Sequence, residues 1–387
     1  MRTPLSTSRR KIFALVSTVA ALAGILTACT TAGSNSAAHS CESPSEGVKA
    51  ARDATAAAAA FPTDIPQQTP LKEKPEPGRT FVYLDAGTET AATTRKAVQV
   101  AAQAIGWTVK VIPYQTADPS TLISAMDQSL QYRPVGVAFS ALPYAVWSAE
   151  VSKFEAAGVP LIPNSTGPVP TSNSVPFVIQ NGDDQKRQGE MLANWLIGDS
   201  CGTAKALVYS VSGYPVLKQL SDPLHALVAQ RCPKCEIIDL NVTIPEVQQG
   251  KSLDAIVTAV QKQPDIGYVL TTVGPQTNGL RSALRAAGVG ANIKIAGASA
   301  AIQQATEVKQ GQAAAFTGYS ADYTGWNTID VAARLAQGMP IDPQQSAMIT
   351  GLLTPENMKD QVANSSYNYP ADFPERLKKL WKVGDHQ

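Results

Sequence analysis

Between residues 81 and 164, short apolar runs alternate with segments of helical periodicity, and this alternation constrains the fold more than any other feature of the chain. Phe81-Val82-Tyr83-Leu84 leads into the small polar loop Asp85-Ala86-Gly87-Thr88-Glu89-Thr90. Val98, Ala101, Ala102 and Ile105 then share one helical face, which stops at Gly106. A second β-rich run covers 108–112. Asp118-Pro119-Ser120 opens a helix with Leu122, Ile123, Met126 and Leu130 on one side. The third run, 135–139, is followed by a helix through Val151 and Phe154 to Gly158, and 159–162 is the fourth. Strand period alternating with helix period means βαβ units and a parallel sheet. Ligands of such sheets collect beyond the carboxyl ends of the strands, so the loops after these four runs are where a site is expected.

The same pattern recurs. A short run at 177–181 precedes a helix through Gly189, Leu192 and Trp195, which Asp183 is placed to cap. Strand runs then follow at 206–209, 236–240, 266–270 and 293–297, each leading to a loop and a helix. Residues 314–319 form a further strand, a helix carries Ile329, Val331, Ala332 and Leu335, and 347–351 is strand-like. Two α/β lobes in tandem are expected.

The N-terminus reads differently. Arg9-Arg10-Lys11 precede an apolar, Ala- and Gly-rich stretch to Leu26, the layout of a secretory signal. It ends in Leu26-Thr27-Ala28-Cys29, which resembles the lipobox of bacterial lipoproteins. That resemblance implies cleavage before Cys29, lipid such as palmitate on its thiol and amino group, and anchoring to the cell membrane on its extracytoplasmic side. An uncleaved anchor with a chance cysteine is the alternative. Residues 29–78 read as a flexible and then Pro-rich tether, with a short Ala-rich helix at 48–60 able to lie on the folded body.

Of the 387 residues 44% are hydrophobic, enough for a large core in more than one domain, and the net charge of +1 gives no basis for nucleic-acid binding. Three His without paired spacing argue against a zinc site. No Walker loop or His-Glu-x-x-His is present, and no cofactor or catalytic residue is expected.

Ala-Gly-Val-Pro-Leu-Ile at 157–162, Asn181-Gly-Asp-Asp with the later Gly189, Leu280-Arg-Ser-Ala-Leu-Arg-Ala-Ala-Gly, and the stretch from Gly311 to Gly325 follow in order. In that order and spacing, from about Arg79 to Gly351, the chain resembles a type I periplasmic solute-binding protein of the ribose- and galactose-binding kind. The resemblance implies two Rossmann-like lobes with parallel sheets and a ligand cleft between them. It implies an N-terminal lobe of 79–179 plus 320–351 and a C-terminal lobe of 180–319 plus 352–387. The hinge would have three crossovers, near Gln180-Asn181, Tyr319-Ser320 and Gly351-Leu352. It further implies a monomer that captures a small molecule and delivers it to an ABC permease. A receptor that signals the same closure to a membrane sensor is the second possibility, and a surface enzyme a more distant one.

The family's charged sugar contacts do not carry over. Its first-loop Asn and two Phe positions fall on Thr88, Thr90 and Ala91, and its Asp-Arg pair falls on Ser165-Thr166. Its Arg after the next lobe's first strand falls near Leu220, and its Asn-Asp on Val273-Gly274. Its Gly-Phe-Asp-Gly loop is Gly297-Ala298-Ser299-Ala300, and its hinge Gln falls on Tyr319. What remains is hydroxyls, amides and rings: Thr88, Glu89, Thr90, Ser140, Tyr144, Asn164, Ser165, Thr166, Ser212, Tyr214, Thr272, Gln276, Ser299 and Tyr319. Such a lining suits a neutral, partly apolar or aromatic ligand. Asp85 and Glu89 are candidates to hold an amine, although Asp85 could equally cap the next helix. Trp147 and Phe154 sit at core spacing.

With Cys29 lipidated, four cysteines remain, and export permits disulfides. Cys201 and Cys235 precede strands expected to be neighbours, so a bridge from Cys201 to Cys232 or to Cys235 is expected. Cys232-Pro-Lys-Cys235 precedes a strand rather than following one, which favours a structural over a redox role.

Overall fold

The computed structural model describes residues 41–361 and 367–384, without the side chain of Glu89. Cys29 and the signal segment lie outside the described residues. Among the described residues no helix is long and apolar enough to cross a membrane.

Folded structure begins earlier than Arg79. Helix α1 (Glu46–Ala59) is capped by Ser45, whose hydroxyl accepts from the Val48 N–H, and it buries Val48 and Ala51. Beyond it the Pro-rich segment is also packed, because Ile65 and Leu71 are buried in the core and the Leu71 N–H donates to the Leu380 carbonyl. Residues 41–78 are therefore part of the globule and not a free tether.

The first lobe follows the expected rhythm: β1 (Thr80–Asp85), α2 (Glu89–Ala104), β2 (Thr108–Pro113), α3 (Pro119–Leu130), β3 (Val137–Ser140), α4 (Tyr144–Trp147), α5 (Val151–Ala157) and β4 (Leu161–Asn164). The strands form a parallel sheet in the order β2-β1-β3-β4. The 177–181 run contributes a single parallel bridge, Asn164 to Ile179.

Helix α6 (Gly182–Asp199) opens the second lobe, capped by Asn181 with Asp184 as the reciprocal partner; Asp183 is only a first-turn residue. There follow β5 (Lys205–Ser212), α7 (Pro215–Arg231), β6 (Glu236–Thr243), α8 (Ile244–Gln248), α9 (Ser252–Lys262), β7 (Tyr268–Thr271), α10 (Leu280–Ala286), β8 (Lys294–Ala300), α11 (Ile302–Lys309) and β9 (Ala315–Gly318). Helix α12 (Ala321–Ala336), the two-residue strand β10 (Leu352–Leu353), α13 (Pro355–Met358) and α14 (Phe373–Leu380) complete the chain. The second sheet has the order β10-β9-β8-β7-β5-β6, parallel except that β10 runs antiparallel to β9. Residues 347–350 are not a strand, because their polar groups are held otherwise. The Met348 N–H donates to the Asp184 carboxylate, and the Thr350 hydroxyl donates to the Gly318 carbonyl.

Helix α12 returns to the first lobe and packs on α2. Gly325 makes this possible, since a Cβ there would lie 2.5–2.8 Å from Ala97 and from the α2 backbone. The tail follows α12 rather than the second lobe, where the sequence reading places it. Trp381 stacks on Trp326 at 5.4 Å and donates from its indole N–H to Asp330 at 2.7 Å. The inner crossovers between the two sheets run through Gln180, 319–320 and 350–352.

The cysteine pairing differs from expectation. Cys41 bonds Cys201, and Cys232 bonds Cys235. The reason is the docking of α1 on α6, which brings Cys41 to the end of α6, while Cys232 and Cys235 close one turn after α7.

Candidate functional site

The carboxyl ends of both sheets face a cavity of about 510 Å³ between the lobes. Each wall is built from strand ends and from the helix turns that follow. Thr88 caps α2, its hydroxyl accepting from the Ala91 N–H at 3.1 Å, and the next turn of α2 presents Thr90, Thr93 and Thr94 to the cavity. Ser140 and Ala141 follow β3, and Asn164 and Ser165 end β4. From the second lobe come Thr272 and Val273 after β7, and Ser299 and Ala300 at the end of β8. Tyr319 stands at the crossover.

Backbone strain is concentrated here. Ala141, Ser165, Gln180 and Ser299 all line the cavity with φ between 52° and 75°, a region that non-glycine residues rarely adopt. Such conformations persist only where the surroundings over-determine them, and they gather at ligand clamps. Ser299 shows the bracing: its N–H donates to the Thr317 hydroxyl at 2.9 Å, and both hydroxyls donate to the Gln188 amide oxygen at 3.1 and 2.7 Å.

Among the described side chains Asp322 is the one lining group with a formal charge, and its carboxylate accepts from the Asn368 amide at 2.7 Å. Burial pushes the Tyr83 hydroxyl far above its usual range, with the neighbouring Tyr319 adding to the effect. Tyr319 is also raised by burial, an effect offset in part by the Thr324, Asn164 and Thr94 side chains around its oxygen. Tyr114, which supports the site by donating to the Ser140 carbonyl, is pushed up by burial to about 12. All three hydroxyls are neutral near pH 7, so they act as hydrogen-bonding groups and not as charges.

Of the expected ligand residues, Thr88, Thr90, Ser140, Asn164, Ser165, Thr272, Ser299 and Tyr319 are brought together around this cavity. Others lie elsewhere. Asp85 is buried, paired with Arg95 at 2.7 Å and accepting from the Gly87 N–H, so it neither faces a ligand nor caps α2. Tyr144 packs edge-on against Trp147, at 4.9 Å between ring centres, with the first-lobe core. Thr166 is buried outside the wall, and Gln276 lies in the turn after β7 without reaching the wall. Ser212 and Tyr214 line a separate depression on the second lobe, with Lys218, His225 and Asp239. Glu89 opens α2, but its side chain is outside the described residues. The sequence reading missed Tyr83, Thr93, Thr94, Gln180, Gln185, Leu217, Pro275, Ala301, Ile302, Ala321 and Asp322. Thr94 was readable, lying one helical turn beyond Thr90 and Ala91.

Residues 80–340 match the model of the periplasmic binding protein domain. The chain belongs to this family of binding proteins. Solved structures agree in fold. An ABC sugar transporter subunit from Rhodobacter sphaeroides is 20% identical with a TM-score of 0.62, over 72% of this chain and 99% of the other. A glucose-galactose binding protein from Geobacillus stearothermophilus is 14% identical with a TM-score of 0.63, over 74% and 99%. A 5-methylthioribose transporter solute binding protein from Thermotoga lettingae, solved with 5-methylthioribose, is 16% identical with a TM-score of 0.66, over 81% and 99%. No curated protein sequence matches significantly. In this periplasmic binding protein the interlobe cavity is the candidate solute site, and the strained residues around it are the candidate contacts.

Proposed function

We propose that the protein is the solute-capturing lipoprotein of an ABC importer, held on the extracytoplasmic face of the cell membrane through Cys29. It takes a small neutral molecule between its lobes and presents the closed form to a membrane permease. The observation that carries this reading is a cleft at the junction of two lobes, lined among the described side chains by hydroxyls, amides and aliphatic groups with one carboxylate. Fold likeness to an ABC sugar transporter subunit and to a 5-methylthioribose transporter solute binding protein supports the transport role. Movement of the lobes would be absorbed at the crossovers, as in hinge closure around ligands. No step of chemistry is required.

A thermal-shift screen of protein lacking residues 1–29 tests capture. The panel holds sugars, polyols, nucleosides, amino acids and small aromatic acids. A ligand at about a hundred times its Kd stabilises by about 2.7 kcal/mol, which is a readable shift. Folded protein that no neutral member of the panel stabilises would refute the reading. Metabolic labelling with a palmitate analogue tests the anchor, with label expected on the full chain and lost in Cys29→Ser.

A further inference from the structure

The two walls of the cleft are chemically unlike. The first lobe presents the hydroxyls of Thr88, Thr90, Thr93 and Ser140 and the amide of Asn164. The Asn164 amide oxygen is buried and has no hydrogen-bond partner among the described residues. A buried acceptor left unpaired is costly, and it is relieved by a ligand that brings a donor. The second lobe presents Leu217, Val273, Pro275, Ala300 and Ile302 beside Gln185, Thr272 and Ser299, and the last two already donate their hydroxyl protons to Ser210 and Gln188. Ile302 is 47% exposed at the first position of α11, one of few large hydrophobic side chains left so open. An aliphatic wall that stands in water gains by being covered with apolar surface, whereas a ligand ringed with hydroxyls would leave those hydroxyls unpaired against it. Among the described residues no Lys, Arg or His lines the cavity, so a carboxylate or phosphate would enter without a cation to meet it.

Resting on the solute-binding reading above, we infer that the ligand is a neutral amphipathic polyol. Its hydroxyl-bearing end docks on the first lobe, with one hydroxyl donating to the Asn164 amide oxygen. An aliphatic substituent lies against Leu217, Val273, Pro275 and Ile302. The cavity of about 510 Å³ has the size of ordinary small-ligand pockets and holds a monosaccharide-sized head together with a short chain.

The experiment is calorimetric titration of the soluble protein with matched probes. These are D-glucose, D-galactose and D-ribose, each free, as the butyl glycoside, and as the butyl ether of its terminal hydroxyl. At least one butyl derivative is expected to bind tenfold or more tighter than its parent, about 1.4 kcal/mol. Ile302→Asp is expected to remove that gain with an unchanged urea midpoint, since Ile302 is open to solvent and contributes little to folding. Asn164→Leu is expected to weaken parent and derivative alike. Parent sugars that bind as tightly as every butyl derivative would overturn the inference and leave the solute-binding reading standing. Failure of all nine probes to bind would overturn the polyol end, and the wider thermal-shift panel would then decide separately whether the protein captures a solute at all.

Discussion

Replacement of Arg334 by Met is expected to be among the most damaging single changes outside the cleft. Asp330 and Arg334 face each other one turn apart on α12 at 2.7 and 3.2 Å, with Asp330 fully buried and Arg334 nearly so. The guanidinium also donates to the Thr69 carbonyl at 2.9 Å, which holds the Pro-rich leader, and Asp330 accepts from the Trp381 indole, which holds the tail. Three segments distant in sequence therefore meet at one ion pair. Removing Arg334 alone strands a carboxylate in the core, a loss of about 3–5 kcal/mol. Removing both charges, as Asp330→Leu with Arg334→Met, leaves an unpaired indole N–H and an unpaired Thr69 carbonyl but no buried charge. Each such orphan costs about 1–3 kcal/mol, and the added apolar contacts offset part of it. The double variant should thus be more stable than the single one. Urea unfolding followed by tryptophan fluorescence measures the difference. A single variant that loses under 1 kcal/mol, or a double variant less stable than the single, would refute the reasoning.

Other perturbations follow from particular contacts. Gly325→Ala sets a Cβ 2.5 Å from Ala97 and should cost about 1–3 kcal/mol by forcing α12 off α2, read as a lowered urea midpoint. The chain-entropy model gives about 5 kcal/mol for the bridge spanning 160 residues from Cys41 to Cys201 and about 2 kcal/mol for Cys232–Cys235; paired Cys→Ala variants should lose stability in that order. Tyr114 ionises near pH 10 when unfolded and is raised to about 12 in the fold, so its contribution is complete below pH 10 and is lost as pH rises through 12, about 3 kcal/mol in all. Absorbance at 295 nm should therefore rise together with loss of fold above pH 10, and a Tyr114→Phe variant should show a shallower alkaline decline in stability.

The sheets were legible because their signal is local. Runs such as 81–84 and 206–209 carry the period themselves, and glycines such as Gly106 and Gly158 mark the helix ends. In the leader the Ala-rich helix at 48–60 was legible, but the packing of the Pro-rich segment after it was not, because that segment carries no helical or strand period. Misreading that leader as a tether also hid the Cys41–Cys201 bridge. In the cleft, strand-end position found Ser140, Asn164 and Thr272, but it could not separate one side of a loop from the other. Tyr144 and Tyr214 looked alike in sequence, each beside a proline after a strand. One turns into the core against Trp147 and the other opens on a separate depression. On the second wall Thr272 and Ser299 were found, but its aliphatic part was missed, because Leu217, Pro275 and Ile302 read as ordinary helix and turn residues until the lobes face each other.

The leader and tail change what the hinge is. Helix α1 packs on the second lobe, whereas Gln67 bonds Asn327 on α12 of the first, so the chain passes between lobes within 60–67. Helix α13 packs on α11 and α14 on α12, so it passes again after Met358. The two added passages meet each other. Phe61 stacks on Tyr369 at 4.1 Å, and the Tyr367 ring fills the space where Gly318 and Gly351 carry no side chain. A rotation of one lobe against the other must be absorbed in all five segments, since each is covalently continuous. The aromatic cluster ties the two terminal segments to two of the three inner crossovers. Gln180, already in a left-handed conformation beside the cavity, stands apart from that cluster. Gln180 and Tyr319 are the crossover residues that line the cavity, so of these two only Gln180 lies outside the aromatic tie.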